Sequence, residues 1–174
     1  SKNGISIPEL ISKNNSIPGI KVDKGAKNLA GSQNEKVTEG LDGLGSRLKE
    51  YYDLGARFTK WRAVYSIDKD KPSKQCIKSN AHALARYAAL VQEANMVPIV
   101  EPEVLMDGDH DIDTCYKITT QVLNECYNEL EIHNVNLSGT ILKPNMILPG
   151  SLSNKKVSNE EIAEKTLDCL KKNV

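Results

Sequence analysis

Val97-Pro98-Ile99-Val100-Glu101-Pro102-Glu103 is an apolar run that ends in two carboxylates two positions apart. Its β-branched residues, with proline among them, predict a short buried strand. Strand side chains alternate faces, so Glu101 and Glu103 share one. Three other stretches read the same way: Ile17-Pro18-Gly19-Ile20-Lys21-Val22-Asp23, Ala56-Arg57-Phe58-Thr59-Lys60-Trp61-Arg62-Ala63-Val64 and Gly139-Thr140-Ile141-Leu142-Lys143-Pro144-Asn145. Aligned on Lys21, Lys60, Glu101 and Lys143, the four lie 39, 41 and 42 residues apart, and each has a second polar group two residues on: Asp23, Arg62, Glu103 and Asn145. A parallel sheet covered by helices is normally apolar on both faces. Charge near the C-terminal ends of four successive strands is therefore costly unless the strands share a polar site. The mouth of a (β/α) barrel is such a site. The competing architecture, an open doubly wound sheet, would usually carry a glycine-rich phosphate loop after its first strand, and the chain contains no G-x-G-x-x-G or Walker sequence.

Helical segments fill the intervals. Leu41 to Leu54 places Leu41, Leu44, Leu48, Tyr51 and Tyr52 on one face and stops at Gly55. Ser73 to Asn95 carries Ile77, Ala81, Leu84, Ala88 and Val91 at helical spacing, and Asp113 to Ile132 repeats the pattern. Ser158-Asn159-Glu160-Glu161 is a capping box that opens a last helix, and a short helix around Pro8 to Lys13 precedes the first strand. Helices alternating with strands imply right-handed crossovers and a parallel sheet, an α/β fold.

Composition narrows the class. The 174 residues hold 23 Lys+Arg and 23 Asp+Glu, and 39% are hydrophobic. Such a chain can bury about two thirds of its unfolded surface. Zero net charge argues against a nucleic-acid partner, and no apolar run approaches the roughly 20 residues of a membrane span. The opening Ser1-Lys2-Asn3-Gly4-Ile5 has no apolar leader and no Met, which predicts a cytoplasmic chain whose start lies upstream. Cys76, Cys115, Cys126 and Cys169 form no Cys-x-x-Cys pair and have no His at ligand spacing, so they read as reduced helix residues. His82 lies in a helical run, His133 near a helix end, and His110 in Asp107-Gly108-Asp109-His110-Asp111, a cluster of the kind that caps helices and makes turns.

The converging set is Lys21, Asp23, Lys60, Arg62, Glu101, Glu103 and Lys143. Two-carboxylate glycosidase chemistry fits poorly, because same-strand carboxylates do not straddle a scissile bond. Crowded lysines point instead to an amine that attacks a carbonyl and forms a Schiff base, with Glu101 shuttling protons and the other cations suited to a phosphorylated substrate. The plainer alternative is a set of satisfied ion pairs inside a structural barrel.

Gly19-Ile20-Lys21-Val22-Asp23-Lys24-Gly25, Gly40-Leu41-Asp42-Gly43-Leu44, Lys60-Trp61-Arg62, Pro98-Ile99-Val100-Glu101-Pro102-Glu103, Asp107-Gly108-Asp109-His110-Asp111 and Leu142-Lys143-Pro144-Asn145-Met146 resemble class I fructose-1,6-bisphosphate aldolase, in order and over essentially the whole chain. The resemblance implies a (β/α)8 TIM barrel, of which residues 1–174, read as one domain segment, supply strands three to six. It implies Lys143 as Schiff-base lysine, Glu101 as general acid/base and Lys60 as the cation assisting carbinolamine chemistry. Glu103 then supports the network, Lys21 and Arg62 hold phosphate and hydroxyls, and Asp23 lies beside them. The implied reaction is reversible cleavage of the ketose bisphosphate to dihydroxyacetone phosphate and glyceraldehyde 3-phosphate. The iminium is the electron sink, so neither cofactor nor metal is implied. A homotetramer with a contact near Asp42 is the implied assembly. The rival function is a catalytically incomplete module that binds actin filaments or acidic peptide tails, as aldolases of this family also do. For the geometry, the expectation is that Lys21, Lys60, Glu101 and Lys143 face the concave interior, with Trp61 and Pro102 turned toward the helices. The 174-residue stretch alone is expected to be inactive.

Overall fold

The computed structural model describes residues 4–174. Helix α1 (Ile7–Lys13) precedes β1 (Gly19–Lys21), a hairpin of β2 (Ala26–Asn28) and β3 (Lys36–Thr38), and α2 (Leu44–Asp53). Then come β4 (Phe58–Tyr65), α3 (Lys74–Glu93), β5 (Val97–Val104), α4 (Ile112–Ile132), a 3-10 turn at Leu137–Gly139, β6 (Ile141–Leu142) and α5 (Asn159–Asn173). β1, β4, β5 and β6 lie side by side in that order, all parallel. The four expected strands and the helices between them are thus present. β1 and β6 are shorter than expected because proline flanks each: Pro18 and Pro144 bring no N–H to a ladder.

The β2–β3 hairpin has no counterpart in the sequence reading. Its strands, Ala-Lys-Asn and Lys-Val-Thr, are too short and too polar to show an alternation. Side-chain hydrogen bonds from distant elements hold it. Asn80 of α3 accepts from the Thr38 amide (3.1 Å) and donates to the Lys36 carbonyl (2.8 Å), while Thr38 Oγ1 donates to the Arg62 carbonyl (2.7 Å).

The two long strands show which face meets the helices. Thr59, Trp61, Ala63 and Tyr65 of β4 are buried, as are Pro98, Val100, Pro102 and Val104 of β5. Trp61 is wholly buried and stacks on Tyr87 of α3 at 5.4 Å between ring centroids. The Tyr87 hydroxyl lies 2.8 Å from Thr59 Oγ1 and donates to the Ile99 carbonyl at 3.2 Å, so these two hydroxyls are satisfied, whereas the Trp61 indole nitrogen and the Tyr65 hydroxyl are buried without a partner. Trp61 and Pro102 are accordingly on the buried side, as expected, and the charged residues of the same strands face the other way.

The caps are also as read. Ser158 accepts from the Glu161 amide (3.1 Å), Asp111 accepts from the Thr114 amide (2.9 Å), and Gly55 ends the α2 turn with φ of 106°. The Thr114 amide, with its hydroxyl and Lys155, pulls the Asp111 carboxyl down to about 2, which marks this loop as a helix cap. All four cysteines are buried and unpaired; burial pushes the Cys126 thiol up to about 12 and, with Glu35 nearby, the Cys76 thiol up to about 11, far from nucleophilic thiolates. Among the described residues no helix is long and apolar enough to cross a membrane.

Truncating the central layer has a calculable cost. Trp61→Ala should destabilise the folded protein by about 3–5 kcal/mol, and Tyr87→Phe by about 1–3 kcal/mol because Thr59 loses its buried partner. Urea unfolding of both variants checks the ranking; a Trp61→Ala loss under 1 kcal/mol would contradict the packing.

Candidate functional site

The site begins with strand register. Lys21 of β1 pairs with Lys60 of β4, Lys60 with Ile99 of β5, and Arg62 with Glu101. Ile99 pairs with Ile141 of β6, and the Lys143 amide donates to the Val100 carbonyl (2.9 Å), so Lys143 continues beside Glu101. The charged residues therefore share one face but occupy two tiers. Lys21 and Lys60 form one tier, and Arg62, Glu101 and Lys143 the next. An alignment by sequence interval puts Lys60 and Glu101 level; the sheet instead offsets β5 by two residues. An even offset keeps every side chain on its face, and a progressive offset is the stagger that tilts barrel strands.

Across the tiers, Glu101 is the centre. It is only 2% exposed, with Lys60 Nζ 2.8 Å from Oε2 and Lys143 Nζ donating to Oε1. Burial alone would raise its carboxyl, but hydrogen bonds and charge from Lys143 and Lys60 outweigh burial and hold it below the usual carboxylate range. Beside it, Arg62 Nε donates to Glu103, an interaction that raises the guanidinium despite some desolvation, with Glu101 and Asp23 adding to the effect. Asp23 lies just past β1; its carboxylate accepts from Lys21 Nζ and from the amides of Gly25 (3.0 Å) and Arg62 (3.4 Å). The seven predicted residues thus gather on one face, as a Lys60–Glu101–Lys143 cluster flanked by the Arg62–Glu103 and Lys21–Asp23 pairs.

Asn145, the fourth second-position polar group, turns away. It accepts from the Val104 amide (3.0 Å) and donates to Thr119 of α4 (3.1 Å), because the chain leaves the sheet at Pro144. One positioning residue, Arg47, went unread, and another, Gly40, was read only as part of a family motif. Arg47 of α2 donates to the carbonyls of Val22 (3.0 Å) and Gly40, tying the β1 rim to the helix layer. Gly40 has a φ of 132°, and a Cβ there would sit 2.9 Å from the Lys24 amide nitrogen, so only glycine lets this loop pass so close. A conspicuous glycine was visible; a half-buried arginine on an amphipathic helix carries no such signal.

The charged face is an open shelf. Surface clefts such as the one of about 420 Å³ lined by Asp113, Tyr116, Glu164 and Lys165 lie between helices, away from it. We place the candidate site on the shelf because that is where buried charge and paired lysines coincide. The charge expected near the C-terminal strand ends sits deeper: Lys60 is the third of eight residues in β4 and Glu101 the fifth of eight in β5, and of the three only Lys143 lies past the end of its strand. Parallel strands joined through helices, with two lysines on a buried carboxylate on one face, define a lysine-centred (β/α)-barrel site.

Comparison with known proteins gives the particular family. The family model for fructose-bisphosphate aldolase class-I matches residues 1–174, and the chain belongs to that family. It is similar to a probable fructose-bisphosphate aldolase class 1 of Xanthomonas campestris, 56% identical over 174 residues, covering all of this chain and 52% of that protein. It is 55% identical over 158 residues to cytosolic fructose-bisphosphate aldolase 4 of Arabidopsis thaliana, covering 91% of this chain and 40% of that protein. Among solved structures it matches fructose-bisphosphate aldolase from Plasmodium falciparum, solved in complex with TRAP and a small-molecule inhibitor, with a TM-score of 0.97 and 43% identity over all of this chain and 51% of that one. The chain spans about half the length of the relatives it matches. The parallel α/β architecture is accordingly part of a TIM barrel.

The depressed Glu101 carboxyl has a signed pH consequence. Its stabilisation is fully present above the unfolded value of about 4.3 and is lost as pH falls through the lower folded value. The stability gap between wild type and Glu101→Gln should therefore be flat at neutral pH and shrink on acidification below about pH 4.3. Urea midpoints of both proteins across this range check it, and a gap that widened with acid would be incompatible with the Lys60–Glu101–Lys143 cluster.

Proposed function

We propose that the protein carrying this chain cleaves fructose 1,6-bisphosphate reversibly through a Schiff base on Lys143. The observation that supports this most directly is Glu101, a buried carboxylate in β5 held between Lys60 of β4 and Lys143 just past the end of β6. Lys143, as free amine, adds to the C2 carbonyl of the ketose. Glu101, having taken the proton that the Lys143 ammonium sheds, passes it to the carbinolamine hydroxyl, which leaves as water; an iminium remains and Glu101 is a carboxylate again. Loss of the C4 hydroxyl proton to the Glu101 carboxylate lets the C3–C4 bond break; its electron pair flows into the iminium as an enamine and the aldehyde departs. Protonation at C3 and hydrolysis then return dihydroxyacetone phosphate and free Lys143. Lys60 is the resident cation beside Glu101. Lys21 and Arg62 hold phosphate and hydroxyl oxygens, Glu103 orients Arg62, and Asp23 orients Lys21.

The names of the plant relatives favour a cytosolic location, and the exposed Asp42 turn before α2 suits a subunit contact in a homo-oligomer. No feature of the shelf favours the binding-module alternative. The 174-residue stretch alone leaves β1 and β6 without outer partners, and exposed strand edges recruit other chains. We expect it to associate, to form imine only slowly and to show no turnover.

Two measurements test the assignment. Borohydride added with dihydroxyacetone phosphate to the whole protein should add mass to the peptide containing Lys143, and Lys143→Met should lower kcat by a factor on the order of 10³ to 10⁶. Label on another lysine, or near-normal turnover by Lys143→Met, would overturn it. A coupled assay of the isolated stretch beside the whole protein tests the second expectation, and turnover within tenfold of the whole protein would refute it.

A further inference from the structure

On the helical side, His82 of α3 meets Glu129 and His133 of α4. His82 Nδ1 lies 3.0 Å from Glu129 Oε2, and His133 Nδ1 lies 3.5 Å from the same oxygen. The two imidazoles stand edge to face with centroids 4.9 Å apart. One donor atom from each of the three residues lies within 4.8 Å of the others. In sequence, 51 residues separate the two histidines, so no ligand spacing announces the group.

We propose that His82, Glu129 and His133 bind one borderline-soft divalent cation of the Zn²⁺ class, a site separate from the lysine shelf. Two imidazoles and one carboxylate are a three-ligand donor set that leaves a fourth position for water. Hard Mg²⁺ prefers oxygen-only, octahedral surroundings and is disfavoured here. Convergence on one ion at about 2.0–2.1 Å needs ligand atoms about 3.4 Å apart, so the group closes by roughly an ångström through side-chain rotation.

Three local features favour a cation. His133 Nδ1 is 2.8 Å from the Glu129 carbonyl oxygen. When Nδ1–H donates there, Nε2 keeps its lone pair and is the atom His133 offers to a metal, while the Nδ1 that lies 3.5 Å from Glu129 Oε2 makes the outer contact typical of metal-ligating histidines. His133 is also the C-cap of α4, where the helix dipole favours positive charge. Finally, Lys78, one turn before His82, pairs with Glu125 (3.7 Å), and the ion-pair contacts of the Glu129 carboxylate within 4 Å are with the two histidines.

The experiment titrates Zn²⁺, and separately Mg²⁺, into metal-stripped whole protein by calorimetry, with Co²⁺ as spectroscopic probe. The expected result is one Zn²⁺ per chain, no measurable Mg²⁺ binding, and Co²⁺ bands without a thiolate charge-transfer band. His82→Ala and Glu129→Gln should each weaken Zn²⁺ at least tenfold, with folding checked by circular dichroism. His82 is half exposed, so its variant keeps the test interpretable if a change at the more enclosed His133 disturbs folding. Lys143→Met should bind Zn²⁺ as wild type does, which separates this site from the shelf. Absence of stoichiometric binding, affinity unchanged in both variants, or a thiolate band pointing to the cysteines would each overturn the proposal and leave a hydrogen-bonded brace between α3 and α4.

Discussion

A carboxylate that is almost wholly buried is unstable as an anion unless cations and hydrogen bonds compensate for its lost water. Glu101 meets this condition with one lysine from each neighbouring strand, Lys60 from β4 and Lys143 from β6. The three residues are far apart in sequence, so the compensation exists only when β4, β5 and β6 are in register. A slip of β5 by one residue would turn Glu101 to the core face, toward Trp61 and Tyr87, and a slip by two would separate it from both ammonium groups. The ion cluster and the apolar layer therefore specify the same register from opposite faces of the sheet.

That coupling explains the division of labour along each strand. In β4 the sequence Thr59-Lys60-Trp61-Arg62 alternates a core residue with a shelf residue, and in β5 Val100-Glu101-Pro102-Glu103 does the same. Trp61 packs on α3 while Lys60 and Arg62 on either side project from the opposite face. The rim at β1 is held differently. There the strand is three residues long, and side chains take over from the ladder: Asp23 gathers Lys21 and two amides, while Arg47 ties two carbonyls to α2. The shelf is thus most rigid at β4 and β5 and depends on loop hydrogen bonds at its β1 side.

These differences decide what was legible in the sequence. The strand count, the helices and the polar face followed from period-two and helical patterns, because β4 and β5 are long enough to display them. All seven shelf residues were found by the same alternation. The two-tier arrangement was not, since an even stagger leaves every residue on its face and so leaves no trace in the pattern. The β2–β3 hairpin was invisible because its stability comes from Asn80 and Thr38, whose bonds span 42 and 24 residues. Asn145 was placed by strand periodicity, but Pro144 takes the chain out of the strand first. The meeting of His82 with Glu129 and His133 depends on how α3 packs on α4, which intrahelical spacing does not encode.

Both lysines touch Glu101, yet their settings are unlike, and the difference bears on which one suits attack on a substrate. Lys60 stands on a central strand, in the tier below Glu101, with its side chain 27% exposed. Its stem is confined between β1 and β5, and its ammonium is committed to Oε2. Lys143 lies just past the end of β6, where the chain leaves the ladder before Pro144. A nucleophilic amine has to shed a proton, swing toward a carbonyl carbon and become covalently attached, which demands free volume and solvent access. A cation that stabilises a neighbouring carboxylate through every step benefits from confinement instead. Glu101, touching both, can exchange a proton with the mobile amine while the fixed one keeps it ionised between turns. The confinement of Lys60 on a central strand thus fits the part of resident cation that we propose for it, and the release of the chain after β6 fits the proposed part of Lys143 as nucleophile.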